Sequence, residues 1–378
     1  MTAGPSALQP RNAGIDLLRG LSIVLVVLHH LGLRFPLKDG VLADWLPRGV
    51  LNALIYNGYE AVFVFFVISG FLITTHVLRR DGGLARLDAR GFYVRRATRI
   101  LPTLTLIVAL LAALHLLGVP HHVIDTERQS LGRAVLAVFG LHLNWYEGQT
   151  GYLPGGWDVL WSLSIEEAFY VAFPLLCLAV RRERWLMLLL AVFALSLPLT
   201  RAALADNAIW QEKAYLPGMA AIAAGVFGAL LAARWRAPPR AVVWLLATLS
   251  TAMLASTLLF GVLWWRWIGN GYVLVLTLST MALLVALQFD ERRNGAVPVP
   301  RGLRWLASMG RLSYEMYLTH MFVVFVTVGI VGAVQGDMRW AVLWYLPAVL
   351  ASWALGAALA HGFSMPVERA LRRRWLAR

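Results

Sequence analysis

The stretch IDLLRGLSIVLVVLHHL, Ile15–Leu31, decides how the rest of the chain is interpreted. It is apolar and close to the length that spans a bilayer, yet it carries Asp16, Arg19, His29 and His30. Arg19 and His30 are 11 residues apart, which on a helix is three turns plus about 20°, so both lie on one face about 16 Å apart. Ionisable residues inside a spanning helix are costly and indicate a functional site. The alternative is that Arg19 sets the topology and another helix satisfies His30.

The composition of the whole chain is typical of an integral membrane protein. Of 378 residues, 59% are hydrophobic and 14% are charged, with a mean hydropathy of +0.66; soluble chains carry roughly 25% charged residues. The net charge of +14 indicates membrane topology rather than nucleic-acid binding. Cys177 is the only cysteine, which excludes an intrachain disulfide and a Cys-rich metal site. The first apolar run has no convincing small-residue cleavage site, so we expect no cleaved signal peptide.

Ten apolar segments of about 20 residues are predicted to cross the membrane. They fall at 15–35, 57–78, 98–118, 159–180, 185–204, 216–233, 241–263, 269–289, 305–330 and 341–363. The shorter stretch Leu131–Tyr146 is expected to be re-entrant or interfacial. With the N-terminus in the cytoplasm, 23 of the 34 Lys and Arg residues lie inside and nine, including Lys213, lie outside, as the positive-inside rule requires.

The sequence therefore predicts an all-α integral membrane protein with about ten transmembrane helices and one short re-entrant or interfacial segment. We expect a single domain over residues 1–378, with both termini in the cytoplasm and no appended soluble domain.

Two motifs accompany the second and third predicted spans. FFVISGF places Ser69 and Gly70 between bulky side chains, which favours close packing of two helices. RRATR contains Arg95, Arg96 and Arg99, of which the last two share a helix face. The cluster is either a positive-inside anchor or a clamp for phosphate groups, which the planar guanidinium suits.

The fourth predicted span opens with WSLSIEE and carries Glu166 and Glu167. Two carboxylates within a span indicate function, although each could also pair with a cation of another span for structure alone. Adjacent helical residues point about 100° apart, so the two cannot face one site.

The ninth predicted span contains GRLSYEMYLTH. Its Arg311 and Glu315 are four residues apart and can pair with each other. His320 alone is more often a packed, hydrogen-bonded residue than a catalyst. With the predicted span limits, His30, His320 and Glu166 fall in one layer nearer the outer face, to within about 5 Å.

Together these motifs resemble those of the membrane-bound acyltransferase-3 family, which O-acylates surface polysaccharides, other extracytoplasmic glycans and some small molecules. The matching elements are an Arg and a His separated by ten residues, FFVISGF, RATR, WSLSIE and LSYEMYLTH. They occur in the family's order and cover Ile15 to about Arg369.

Two departures from the family pattern stand out. EAVFV at 60–64 replaces the usual Gly-Val-polar run, and no proline follows Glu368-Arg369. Neither departure involves His30. The appended esterase-like domain that some members carry is not expected here.

The resemblance implies transfer of an acyl group, commonly acetyl, from cytoplasmic acyl-CoA to a hydroxyl of an extracytoplasmic or lipid-linked glycan. This reaction is expected at the cytoplasmic membrane of a bacterium. His30 is then the general base, with Glu166 orienting its imidazole or holding the sugar, and Arg19 continuing a positive track into the membrane. An acyl-histidine intermediate is the alternative chemistry.

The remaining expected site residues come from the same motifs. The donor is expected to contact Arg95, Arg96, Arg99 and Ser69. The acceptor is expected to contact Trp161, Ser164, Tyr317 and His320. Acyl-CoA, the acceptor and the lipid bilayer are the expected partners; no metal is predicted, and the oligomeric state stays open.

Two other classes of protein compete with this interpretation. A transporter also uses intramembrane Arg, His and Glu as a relay, although no inverted repeat of Gly/Pro-broken spans is visible. The second competing class is an inactive membrane scaffold. The complete motif set argues against it.

Overall fold

The computed structural model describes residues 12–334 and 337–376, and this part of the chain is helical without strands. Arg11 and Arg378, counted above on the cytoplasmic side, lie outside the described residues. The α-helices are α1 (Ala13–Gly32), α2 (Arg48–Ile55), α3 (Gly58–Asp81), α4 (Ala89–Leu116), α5 (Leu131–Phe139), α6 (Leu143–Thr150), α7 (Gly155–Asp158), α8 (Trp161–Ala179), α9 (Glu183–Leu195), α10 (Leu197–Ala202), α11 (Ala208–Lys213), α12 (Tyr215–Arg234), α13 (Arg240–Leu259), α14 (Gly261–Ile268), α15 (Gly271–Asn294), α16 (Arg304–Arg311), α17 (Ser313–Ala333), α18 (Tyr345–Leu359) and α19 (Met365–Leu376). Short 3₁₀ turns occur at Leu37–Asp39, Val41–Asp44, Leu84–Arg86, Arg301–Leu303 and Met338–Trp344, and a π turn at Ala360–Ser364.

Nine helical runs in the described part of the chain are long and apolar enough to cross a membrane. They are α1, α3, α4, α7–α8, α11–α12, α13, α15, α17 and the run Met338–Leu376. Their outer surfaces carry apolar side chains, such as Leu245 and Leu249 of α13, which are 58% and 59% exposed. Because lipid can cover such a surface and water cannot do so cheaply, the prediction of an all-α integral membrane protein is confirmed.

The predicted fifth and ninth spans are each divided into two helices. The segment 185–204 forms α9 and α10, which meet at Ser196, so neither half reaches spanning length by itself. Pro198 stands at the start of α10, where it supplies no backbone N–H to continue α9. The segment 305–330 forms α16 and α17, which meet at Leu312.

Two other segments bear on the site. Leu131–Tyr146 forms most of α5 and α6, which are too short to cross a membrane, with Leu141 at a φ of 59° in the turn between them. Helix α4 begins at Ala89, nine residues before the predicted span at 98, because Asp88 caps it by accepting a hydrogen bond from Gly91 N at 2.9 Å. The arginines of RRATR therefore lie within a helix.

Helix α1 packs against α2, α3, α16, α17 and α18. Beside it, α3 and α12 approach each other so closely that a Cβ atom on Gly70 would lie 2.0 Å from the carbonyl oxygen of Ile222. Only glycine permits this approach, which confirms the predicted packing role of Gly70.

Candidate active site

Two imidazoles meet inside the bundle. His320 is fully buried on α17, and its Nε2 lies 3.3 Å from Nδ1 of His30 on α1. Nδ1 of His30 also lies 2.9 Å from the carbonyl oxygen of Val26, and Nδ1 of His320 lies 2.7 Å from that of Tyr317. Nδ1 of each histidine is therefore directed at a backbone carbonyl oxygen, and Nε2 of His320 is directed at the His30 ring.

His29 contacts a different part of the bundle, although its ring also lies edge-on to the His30 ring, with 5.2 Å between the centroids. Its Nδ1 lies 2.9 Å from the carbonyl oxygen of Ile55, and its ring packs on Gly58, where a Cβ atom would lie 2.4 Å from Cγ of the imidazole. Helix α1 thus presents His29 to α2 and α3 but His30 to α17.

Arg19 faces the same helix as His30, which confirms that the two share a face of α1. Its guanidinium donates a hydrogen bond of 2.8 Å to Ser313 Oγ at the start of α17. The contacts with Ser313 and His320 lie two turns apart on α17 and three turns apart on α1. The two helices therefore run side by side in the same direction.

A second polar cluster contains Ser69, Arg96, Glu166 and Tyr170. Ser69 Oγ is hydrogen-bonded to the Tyr170 hydroxyl, and Arg96 lies over the Tyr170 ring with 4.4 Å between its Cζ and the ring centroid. The Glu166 carboxylate interacts with Ser69 and lies within electrostatic reach of Arg96 and Arg19. Three residues from three different sequence motifs therefore surround one carboxylate.

The expectation that Glu166 shares a layer with the two histidines is wrong. Ser162 Oγ donates to the Tyr317 hydroxyl at 2.9 Å, which aligns α8 with the antiparallel α17. Glu166 comes one turn after Ser162 on α8, and His320 comes three residues after Tyr317 on α17. Because the helices are antiparallel, these steps lead in opposite directions and separate the two residues by roughly 10 Å along the helix axes.

Glu315 pairs with Arg99 rather than with Arg311. Arg99 makes a two-point contact with the fully buried Glu315 carboxylate, at 2.7 and 3.3 Å, and lies 3.6 Å from Glu368. Arg311 lies 4.0 Å from Asp16. The bidentate tertiary contact gives two charge-assisted hydrogen bonds, and the break at Leu312 separates Arg311 from the helix of Glu315.

The other predicted site residues lie around these clusters. Arg95 is 3.7 Å from Asp88, near the start of α4. Ser164 Oγ accepts a hydrogen bond from Leu143 N at 3.2 Å, which attaches α6 to α8, and the Tyr317 hydroxyl donates to Val159 O at 2.8 Å. Trp161 is 6% exposed and packs on Phe66. These contacts make Ser164, Tyr317 and Trp161 part of the packing that supports the site.

The sequence interpretation missed a buried ion cluster and misplaced one of its members. Lys213 was expected in an exposed outer loop, yet its side chain is 1% exposed and pairs with Glu147 at 2.9 Å and with Asp158. The cluster ties α6, α7 and α11 together, and Asp158 lies within electrostatic reach of His29. A signal was present, because Lys213 is one of only two lysines in a chain whose other basic residues are arginines.

A second missed cluster joins α3, α10 and α15. Tyr272 donates a hydrogen bond of 2.9 Å to Glu60, and Arg201 lies over the rings of Tyr59 and Tyr272. Arg201 Nε and Nη1, Glu60 Oε2 and the Tyr59 hydroxyl are buried without a hydrogen-bond partner among the described residues. Ordered water usually occupies such positions.

Fold and site together define a polytopic helical membrane protein with paired imidazoles inside the bundle and arginines along one helix. A family model described as "Acyltransferase domain", for the acyltransferase-3 family, matches residues 12–361. The chain belongs to this family, which confirms the resemblance drawn from the motifs.

Known proteins of similar sequence carry acetyltransferase names. A protein of Staphylococcus aureus strain COL, provisionally named an O-acetyltransferase, is 26% identical over 335 residues, which cover 82% of this chain and 50% of that protein. The O-acetyltransferase OatA of S. aureus strain NCTC 8325 is 29% identical over 167 residues, which cover 43% of this chain and 24% of OatA. The chain thus spans half, or less, of the length of these relatives. No solved structure matches it.

Proposed function

We propose that this chain is a membrane O-acyltransferase that moves an acyl group, most simply acetyl, from cytoplasmic acyl-CoA to a hydroxyl of an extracytoplasmic or lipid-linked glycan. In this proposal the protein lies in a bacterial cytoplasmic membrane with both termini inside. Membership of the acyltransferase-3 family supports the reaction class over the transport and scaffold alternatives.

The contact between His30 and His320 carries the proposal. Because Nδ1 of His320 faces a carbonyl oxygen, it must carry the proton, which leaves Nε2 of His320 as an acceptor. Nδ1 of His30 faces that acceptor and the Val26 carbonyl, so it too must carry a proton. Both contacts therefore leave the lone pair of the neutral His30 ring on Nε2, the form a general base requires.

The reaction then proceeds with all atoms and charges accounted for. Nε2 of His30 takes the proton of the acceptor hydroxyl as its oxygen attacks the thioester carbonyl carbon. The carbon–sulfur bond breaks, and the imidazolium returns the proton to the CoA thiolate, so the products are the ester and free CoA. His320 holds the imidazolium through Nδ1–H, which makes it a positioning residue.

This assignment changes the proposed role of Glu166. The contacts that orient His30 come from Val26 and His320, whereas Glu166 lies about 10 Å away beside Ser69, Arg96 and Arg19. We propose that this second cluster lines the path of the donor's pantetheine arm.

Arg95 and Arg96 are proposed to receive the anionic part of CoA. Arg95 is at the first turns of α4, where its side chain is 22% exposed, and Arg96 lies one residue further in. Guanidinium groups bind phosphate through paired, charge-assisted hydrogen bonds. Arg99 is already held by Glu315 and Glu368, which favours a structural role for it.

The test compares His30→Ala with His29→Ala, two changes that remove the same side chain from adjacent positions. The purified protein in liposomes receives radiolabelled acetyl-CoA and envelope glycan, and both ester product and released CoA are measured. Positioned acid–base catalysis contributes about 10²–10⁴ in rate, so His30→Ala should lose detectable transfer while still binding acetyl-CoA. His29→Ala should keep most of the activity.

Three outcomes contradict the proposal in different ways. Near-normal transfer by both variants removes His30 as the base, and loss of transfer only in His29→Ala reverses the assignment on α1. If the unchanged protein does not consume acetyl-CoA, the assignment of acetyl-CoA as the acyl donor is wrong. An increase in protein mass by one acetyl group that depends on His30 would favour the acyl-histidine route over direct transfer.

A further inference from the structure

A groove of about 510 Å³ opens between the segment that follows α1, the loop after α4 and helix α17. Its walls come from the end of α1, the loop 117–130, the segment after α6 and the middle of α17. The lining side chains that matter here are Arg34, His121, Asp125, Thr126, Tyr152 and Phe325. Small-molecule sites typically measure ~300–1,000 Å³, so the groove is of suitable size for a ligand.

Two walls of the groove continue the helices that carry His30 and His320. Arg34 comes four residues after His30, and Phe325 comes five residues after His320 on α17. At ~1.5 Å per residue, both walls begin about 6–8 Å from the imidazole pair. Arg34 is also within electrostatic reach of His30. Two walls of the groove therefore lie one to two helical turns from the proposed base.

Aromatic rings form one wall of the groove in a fixed arrangement. The His121 ring stacks on the Phe325 ring at 5.1 Å with 7° between their planes, and Arg34 lies 5.6 Å from the Phe325 centroid. His121 has a φ of 66°, an uncommon conformation for a residue other than glycine. Strained residues of this kind are concentrated at ligand-binding sites.

Gly155 makes room for this wall. A Cβ atom at Gly155 would lie 2.6 Å from Cε of Met321 and 3.1 Å from Cζ of Phe325. Any larger residue there would push into α17 next to the groove.

The opposite side is formed by Tyr152, which is 53% exposed. Its hydroxyl donates to Glu212 at 3.2 Å, and the Lys213 ammonium lies 4.5 Å from the ring centroid. Burial and the neighbouring Glu212 carboxylate raise the pKa of Tyr152 to about 12, so the hydroxyl stays protonated at neutral pH. The ring is therefore held in place as a flat surface.

The charges of the groove favour a neutral ligand over an anion. Arg34 and Asp125 contribute one charge of each sign, so the lining offers no net attraction to an anion. This contrasts with the arginines at the start of α4, which suit the phosphates of CoA. Ring faces beside Asp125, Thr126 and Arg34 can instead contact a ring that carries several hydroxyl groups.

We propose that this groove binds the acceptor as a neutral sugar ring and presents one of its hydroxyl groups to His30, an inference that rests on the proposed function. The acceptor and acyl-CoA then approach the imidazole pair from opposite ends of the bundle. Asp125 hydrogen-bonds hydroxyls of the bound sugar, and Tyr152 contacts a ring face.

The test measures binding without requiring turnover. Thr126→Cys is introduced into a Cys177→Ala background and labelled with a fluorescent maleimide. Cellobiose and N,N′-diacetylchitobiose are the neutral sugar probes, and CoA is the anionic comparison. At least one disaccharide should slow the labelling in a saturable way, and CoA should leave the rate unchanged.

Asp125→Asn and Glu127→Gln provide a matched pair, because both residues are exposed in the same loop and only Asp125 lines the groove. Loss of a hydrogen bond to a charged group typically weakens binding about tenfold or more. Asp125→Asn should raise the half-protecting sugar concentration by that factor, and Glu127→Gln should not change it.

Each result has a defined meaning. No protection by either disaccharide, protection by CoA, or equal effects of the two substitutions would overturn the groove assignment. Protection by sugar in a protein that shows no acyl transfer would support the groove and contradict the proposed function. Acyl transfer by a protein that no disaccharide protects would support the proposed function and contradict the groove assignment.

Discussion

The Arg99–Glu315 contact provides the sharpest test of how the arginines near the start of α4 divide their roles. Glu315 is completely buried and receives two hydrogen bonds from Arg99, whose side chain is 25% exposed. Replacing Arg99 with Met removes the charge while retaining an unbranched side chain, so Glu315 loses its main partner. Removing one member of a buried pair costs about 3–5 kcal/mol. Because Arg99 is partly exposed, we expect a loss of about 3 kcal/mol in the free energy of unfolding.

Two further variants separate the pair from its surroundings. Replacing both members, as Arg99→Met with Glu315→Met, removes the unpaired carboxylate and should restore most of the lost stability. Arg95→Met on the same helix loses only a partly exposed contact with Asp88 at 3.7 Å and should cost less than about 1 kcal/mol.

The assay is unfolding of the purified protein in mixed micelles of increasing SDS content, followed by tryptophan fluorescence, with acyl-CoA binding measured in parallel. The structural assignment requires Arg99→Met to unfold at lower SDS content while the double variant recovers. If Arg99→Met unfolds like the unchanged protein but binds acyl-CoA at least tenfold more weakly, the assignment fails. Arg99 would then be a phosphate ligand, as its motif suggested.

Three shorter predictions follow from the fold. In a cysteine-free background, Asp206→Cys should react with an impermeant thiol reagent added outside and Arg236→Cys should not; the opposite pattern in whole cells would reverse the topology. Lys213→Met should lower the free energy of unfolding by about 3–5 kcal/mol, since it leaves two carboxylates facing each other, and unchanged SDS unfolding would contradict this. Gly70→Val should reduce the yield of folded protein on size-exclusion chromatography, because its side chain would overlap the backbone of α12; normal yield would show that α3 and α12 can separate there.

The sequence was most informative about features that depend on the geometry of a single helix. Hydropathy located the spanning runs, and the 11-residue spacing of Arg19 and His30 placed both against α17. Helical geometry also predicted that His29 and His30 would have different partners, which are the Ile55 carbonyl and His320. These predictions needed only the rise and rotation of an α-helix, which are the same in any protein.

Contacts between helices were less predictable. The i,i+4 spacing allowed Arg311 to pair with Glu315, but the break at Leu312 lies between them and a better-aligned donor, Arg99, arrives from α4. The burial of Lys213 likewise depends on α6 and α7 folding back over it. Hydropathy records how apolar a segment is and does not show which helix stands beside it.

The separation of Glu166 from the histidines has a physical reason that supports the proposed chemistry. A carboxylate inside the membrane needs cationic partners, and Glu166 lies where Arg96 and Arg19 provide them. Imidazole, whose ordinary pKa is about 6.5, can be neutral at physiological pH and still accept a proton. Further along the bundle from Arg19 and Arg96, a neutral histidine avoids the cost of burying a charge before the reaction begins. A general base at this position is therefore expected to be a histidine. His30, which α1 places against His320, is that residue.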